Sequence, residues 1–301
     1  LSAEDSRAGR DAAADPRAAD LRAADLRAAD LRAARGGHDE RLAAVRDGVF
    51  RRAAPRSKDR ILVADARDGL LVLEALRRAP EGRVAVLARS ERDYAGIDAC
   101  ARMPEGLARP AAVLHPGAEP DPGAIASATG WSGFDLILGR DVLAGDRPAL
   151  LAAWARAYPE AHIVFAEIQQ AEGGRLARIP GLAEAAGAAL AERYAGFEDG
   201  FYSDPSRPAF AWRSADAASW LKAAGLGGGK AEVERYDPGR VLTEAELDAW
   251  FSSESAYGRA LASAFSEEER RRLRAALARA CAEGPVTWPF SVVYLDLPPR
   301  T

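Results

Sequence analysis

The sequence predicts an α/β fold in which a mainly parallel sheet carries helices on both faces. Three observations predict it. Strand-like and helix-like patterns alternate from residue 61 to residue 167, the rhythm of repeated βαβ units. The stretch Asp59–Glu91, DRILVADARDGLLVLEALRRAPEGRVAVLARSE, holds one such unit whole. A late alternating run, Lys230–Tyr236, and a late strand-like run, Ser291–Leu295, offer an antiparallel pair that would complete seven strands.

Residues 15–35 repeat a five-residue unit, RAADL, at Arg17, Arg22 and Arg27. As a β-solenoid the tract offers only about one coil, too little to bury an interior. As a helix, a period of five winds the leucines around the axis and leaves no apolar stripe. Residues 1–38 therefore read as an Ala/Arg/Asp/Leu linker ending at Gly36 and Gly37, with one domain over 39–301. The chain begins with leucine and its only methionine is Met103, so it is expected to be the C-terminal piece of a longer polypeptide.

Leu42, Val45, Val49 and Phe50 make one helical face ahead of the first strand. Ile61–Ala64 is a short apolar run closed by turn residues, and apolar positions 70, 71, 73 and 76 then carry helical spacing. Strands are expected at 61–65, 83–88, 111–115, 134–139 and 161–167, with helices at 69–79, 91–102, 121–130 and 146–157. Beyond Ile168 the rhythm turns helical over 175–200, passes an aromatic, proline-containing loop, and gives a helix over 214–224. Thr243 with Glu246 and Ser266 with Glu269 have capping-box spacing and mark two further helix starts. Residues 172–228 and 243–284 are expected to form a helical cap.

Composition narrows the function. With 301 residues and 48% hydrophobic content the chain can bury a sizeable core. A net charge of −4 exerts no global pull on nucleic acid or anionic membrane. All but three of the 41 basic residues are arginine, the exceptions being Lys58, Lys222 and Lys230. The basic run RRRLRAALARA follows three glutamates and reads as a solvated helix face. Cys100 and Cys281 fit apolar packing in a reducing compartment, and His115 and His162 lack companions at metal-ligand spacing. No apolar run reaches membrane-spanning length, so a cytoplasmic protein without membrane or metal is expected.

FDLILGRDVL (Phe134–Leu143) and HIVFAEI (His162–Ile168) resemble the fourth and fifth strand motifs of class I S-adenosylmethionine-dependent methyltransferases. The resemblance implies a Rossmann-like seven-stranded methyltransferase fold with a helical cap inserted near the C-terminus. A narrower similarity rests on residues 39–80 together with VFAEIQQAEGGRL, YSDPSRPAFAW, LTEAELDAWF and SAYGRAL. In order and spacing these resemble a methyltransferase-like module fused behind AAA+ ATPases of the RarA (MgsA) type, which act in replication-coupled recombination. The implied partner is such an ATPase, in cis or in trans.

The cofactor motifs depart from the family pattern. D-x-G-x-G-x-G falls on Val63, Asp65, Arg67 and Gly69, of which only Gly69 matches. The acid that would accept the ribose hydroxyls falls on Ala88, with Glu91 three residues on as a stand-in or as a first-turn helix residue. The acid that would read adenine falls near Gly117, with Glu119 and Asp121 as candidate replacements. Were S-adenosylmethionine bound, Asp65, Ala66, Asp68, Gly69 and the turn Gly139, Arg140, Asp141 would line it. Asp141 reads either as a polar site group or as a cap, and Asp141 with Glu167 as a candidate carboxylate pair. No N/D-P-P-Y/F motif is present, which disfavours amino methylation of DNA bases, and a nicotinamide-dinucleotide enzyme fails on the same missing glycines.

Two functions follow as expectations. One is an accessory, pseudoenzyme domain of a recombination ATPase. The other is an active S-adenosylmethionine-dependent methyltransferase of unknown substrate.

Overall fold

A computed structural model describes residues 41–65, 69–100 and 109–300, with backbone alone at 98–100. The expected linker over 1–38, and Ala66, Arg67 and Asp68 of the first turn, lie outside the described residues.

Helix α1 runs through 41–53. Five strands alternating with four helices follow: β1 (Arg60–Val63), α2 (Leu70–Arg78), β2 (Arg83–Ala88), α3 (Glu91–Cys100), β3 (Ala111–Leu114), α4 (Pro122–Thr129), β4 (Leu136–Arg140), α5 (Arg147–Ala157) and β5 (His162–Gln169). Next come α6 (Leu182–Ala186), α7 (Ala188–Ser203), α8 (Ala217–Ala223), β6 (Lys230–Tyr236) and a two-residue β7 (Gly239–Arg240). The chain continues through α9 (Glu244–Phe251), α10 (Ala256–Ala264), α11 (Glu267–Ala282), a short β8 (Val286–Thr287) and β9 (Phe290–Leu297).

The main sheet has the order β3-β2-β1-β4-β5-β9-β6. Its first five strands are parallel, and β9 runs antiparallel to both β5 and β6. Strand order reverses between β1 and β4, so the crevice outside their carboxyl ends is where open α/β sheets bind ligands.

Alternation along each strand divides the interior in two. Leu62, Leu87, Ile137, Phe165 and Leu295 face α4, α5 and α8, while Ile61, Val86, Leu138, Val164 and Tyr294 face α1, α2 and α3. Gly48 lets α1 lie close on β9, because a Cβ there would meet the Tyr294 hydroxyl. One turn later Arg52 stacks on the Tyr294 ring, 3.8 Å from its centroid, and pairs with Glu232 and Glu234 of β6 at 2.8 and 2.7 Å. A third core, built around Leu190, Tyr194, Leu247, Leu261, Leu273 and Leu277, belongs to α6, α7 and α9–α11. Within the span expected to form the cap, Trp212, Trp220, Leu221 and Leu226 instead join the sheet core beside α5.

Two carboxylates tie this scaffold to acid. The Arg77 and Arg78 guanidiniums hold Glu74 of α2 down at about 2 against its burial. Burial pushes Glu234 up, but the Tyr236 hydroxyl and Arg52 and Arg51 outweigh it and hold it at about 2 as well. Both therefore bind fewer protons folded than unfolded. Their contribution is complete above the ordinary value of 4.5 and is lost as pH falls through about 2. Thermal unfolding across that window should show a steep fall in Tm, and the Glu74→Gln/Glu234→Gln variant should flatten it. An unchanged pH profile in that variant would rule out this pair as the cause.

Candidate functional site

At the outer half of the carboxyl edge, β2 ends in buried Ala88 and is followed by Arg89. The Arg89 guanidinium donates to the Gly117 carbonyl beyond β3 and, at 3.5 Å, to the Ala64 carbonyl at the end of β1. Its Nε also stands 4.0 Å from the carboxylate of Asp65, itself 9% exposed. One side chain thus ties together the ends of β1, β2 and β3.

The candidate replacement acids are arranged otherwise. Glu91 is exposed and opens α3, and Ser90 accepts the Asp93 amide at 3.1 Å as the cap of that helix. Asp121 caps α4 by accepting the Ala124 amide at 2.9 Å. Glu119 borders an open cavity of about 470 Å³ with Gly117, Ala144 and Asp146, and its carbonyl lies 2.6 Å from His115 Nε2. Gly69 is the left-handed N-cap of α2 at φ 68°, and a Cβ there would meet nothing within 4 Å. Of the first-turn residues, Asp65 and Gly69 are thus placed, while Ala66 and Asp68 lie outside the described residues.

The inner half is built by β4 and β5. Gly139 is buried in β4, where a Cβ would stand 2.8 Å from Val142 and 3.1 Å from the Phe165 ring, so its lack of a side chain serves packing. Arg140 follows, with its Nε 3.9 Å from Asp141 Oδ2. Asp141 takes a left-handed conformation at φ 50°, which Asp tolerates better than most residues. Its amide donates to Ala166 at 2.8 Å and its Oδ1 accepts the Ile168 amide at 2.9 Å, so the side chain clamps β4 to β5. Glu167 is 4% exposed, and its Oε1 accepts the Val142 and Leu143 amides at 2.8 and 3.0 Å. Burial, and then the Asp141 charge, push the Glu167 carboxyl well above the usual carboxylate range. The two acids paired by the sequence therefore do meet electrostatically. Arg147, the first residue of α5, was not singled out by the sequence. Its guanidinium lies over Trp212 and Trp220, 4.7 and 5.1 Å from the ring centroids.

His115 and His162 have partners in the fold, the latter through Asp296 at 2.7 Å. Among the described residues no cluster of three or more His, Cys, Asp and Glu is placed to hold a metal. No described helix is long and apolar enough to cross a membrane.

No family model and no curated protein matches the chain. Solved structures do align with it at low identity. Mycolic acid cyclopropane synthase CmaA1 complexed with SAH and CTAB is 15% identical, with a TM-score of 0.46, covering 86% of this chain and 85% of its own. A cyclopropane-fatty-acyl-phospholipid synthase-like protein from Lactobacillus casei ATCC 334 is 16% identical, with a TM-score of 0.45 and coverage of 84% and 90%. Coclaurine N-methyltransferase bound to N-methylheliamine and SAH is 14% identical, with a TM-score of 0.42 and coverage of 84% and 71%. The fold is read from strand order and direction: five parallel strands and an antiparallel seventh, placed between the fifth and sixth, make this the Rossmann-like methyltransferase fold.

Proposed function

We propose that the chain is an accessory module on a methyltransferase fold, with its adenosine-binding edge closed by its own Arg89. The observation that carries this reading is the bridge from Arg89 to Ala64, Asp65 and Gly117. A nucleoside lying across the ends of β1 and β2 would have to displace that guanidinium from two carbonyls and a carboxylate. It would find no acid at Ala88 to accept its ribose hydroxyls. The sulfonium of S-adenosylmethionine would also bring a second cation beside the first. The order and spacing of the segments shared with modules behind RarA-type AAA+ ATPases support such an ATPase, in cis or in trans, as the partner.

Calorimetric titration with S-adenosylmethionine and S-adenosylhomocysteine tests the reading. No heat and no thermal stabilisation at millimolar ligand are expected from the folded chain. Micromolar binding with defined stoichiometry would overturn it and revive the second reading, an active methyltransferase. The open, left-handed Gly69 at the start of α2 favours that alternative.

A further inference from the structure

A second cavity, of about 230 Å³, opens on the other side of the β4 turn. The start of α5, the end of β5 and the loop carrying Pro208 and Trp212 enclose it, and Asp141, Arg147 and Glu167 all line it. Glu167 and Asp141 each spend one oxygen on backbone amides, through Val142, Leu143 and Ile168. Arg140 stands near the second oxygen of Asp141.

Arg147 is different. Among the described residues no hydrogen bond or ion pair engages its guanidinium, and its buried Nε has no partner. It lies over the two ring faces, and the Glu167 and Asp141 carboxylates support its charge from a distance without bonding to it. Burial works against its charge. A buried donor without an acceptor is costly, and proteins usually satisfy such groups. Arg147 lines the cavity, so an acceptor entering it would meet the guanidinium.

We propose that this cavity binds an α-amino acid or a similar small zwitterion, its carboxylate on Arg147 and its ammonium on Glu167 and Asp141. A carboxylate supplies the planar acceptor that a guanidinium engages best. An ammonium donates to Asp141 and to the Glu167 carboxyl, and its charge draws that raised carboxyl back to its ionised form. A phosphate would satisfy Arg147 but would face two acids, and a plain amine would leave Arg147 without an acceptor. The size of the cavity suits a small polar molecule.

The site is independent of the adenosine edge, and its test keeps the two apart. Scanning fluorimetry of the full chain against each standard L-α-amino acid at millimolar concentration, followed by calorimetry, should reveal at least one binder. The decarboxylated amine and the deaminated acid of that binder should not bind. Arg147→Gln and Glu167→Gln should each weaken binding by roughly tenfold or more, the value of one charge-assisted hydrogen bond. Glutamine at 167 keeps an acceptor for Val142 and Leu143, so that variant should fold even if the other does not. Absence of any stabilising amino acid, or a binder with unchanged affinity for the folded Glu167→Gln chain, would overturn the proposal. S-adenosylmethionine binding that ignores both substitutions would instead count against the accessory reading and leave this one standing.

Discussion

Replacing Trp154 with alanine should destabilise the protein by about 3–5 kcal/mol, the range for removing a fully buried large aromatic. The side chain is 0% exposed at the centre of the α5 face of the sheet. It stands edge-on to Phe165 at 5.6 Å and stacks on Tyr158 at 6.2 Å. Phenylalanine should behave otherwise. The indole nitrogen is buried without a hydrogen-bond partner, and removing an unsatisfied donor returns roughly 1–3 kcal/mol against the smaller packing loss. Urea unfolding should therefore place Trp154→Phe close to wild type and Trp154→Ala far below it. Equal losses in the two variants would mean that the orphaned nitrogen carries no penalty.

In the cap, Glu198→Ala should cost about 2–5 kcal/mol, and the loss should be concentrated there. Glu198 is 1% exposed, with one oxygen accepting the Tyr257 hydroxyl at 2.8 Å and the other accepting the Ala177 amide at 2.8 Å. Tyr257 in turn shares a 2.6 Å hydrogen bond with Tyr194. Truncation strands the Tyr257 hydroxyl and the Ala177 amide in the cap interior, where no solvent replaces the lost acceptor. Because the cap has a core of its own, hydrogen exchange should accelerate first in α7, α10 and α11. Uniform acceleration across β1 to β5 would show instead that cap and sheet unfold as one unit.

Much of the architecture was legible because its signals are local. β2 has the bounds expected from its apolar run and β6 those expected from its alternation, and both capping boxes hold α9 and α11. α10 gave no such signal. Its cap, Ser255, serves the amide of Gly258, so the glutamate that marks the other two starts is missing. The placement of 212–226 was equally hidden, since Trp212 and Trp220 are apolar enough for either core and only the contact with α5 decides.

The site was less readable for a related reason. The turn at Gly139–Asp141 lies at the sheet edge where the strand pattern put it. Arg89 and Arg147 are two among many arginines, and what distinguishes them lies far away in sequence. Arg89 meets carbonyls at Ala64 and Gly117, which any residue type could supply. Arg147 is set apart by a buried Nε that no acceptor meets, which no spacing encodes.

The position of β9 has a consequence for biosynthesis. β5 and β6 lie on either side of a strand that does not exist until residues 290–297 have been made. A nascent chain that has already emerged through β6 still has two strands with no common neighbour. The eight residues of β5, seven of them buried in the finished protein, would then present an open edge. Completion of the sheet must therefore wait for β9, and the interval between synthesis of β5 and arrival of β9 is when this protein is most exposed to mispairing.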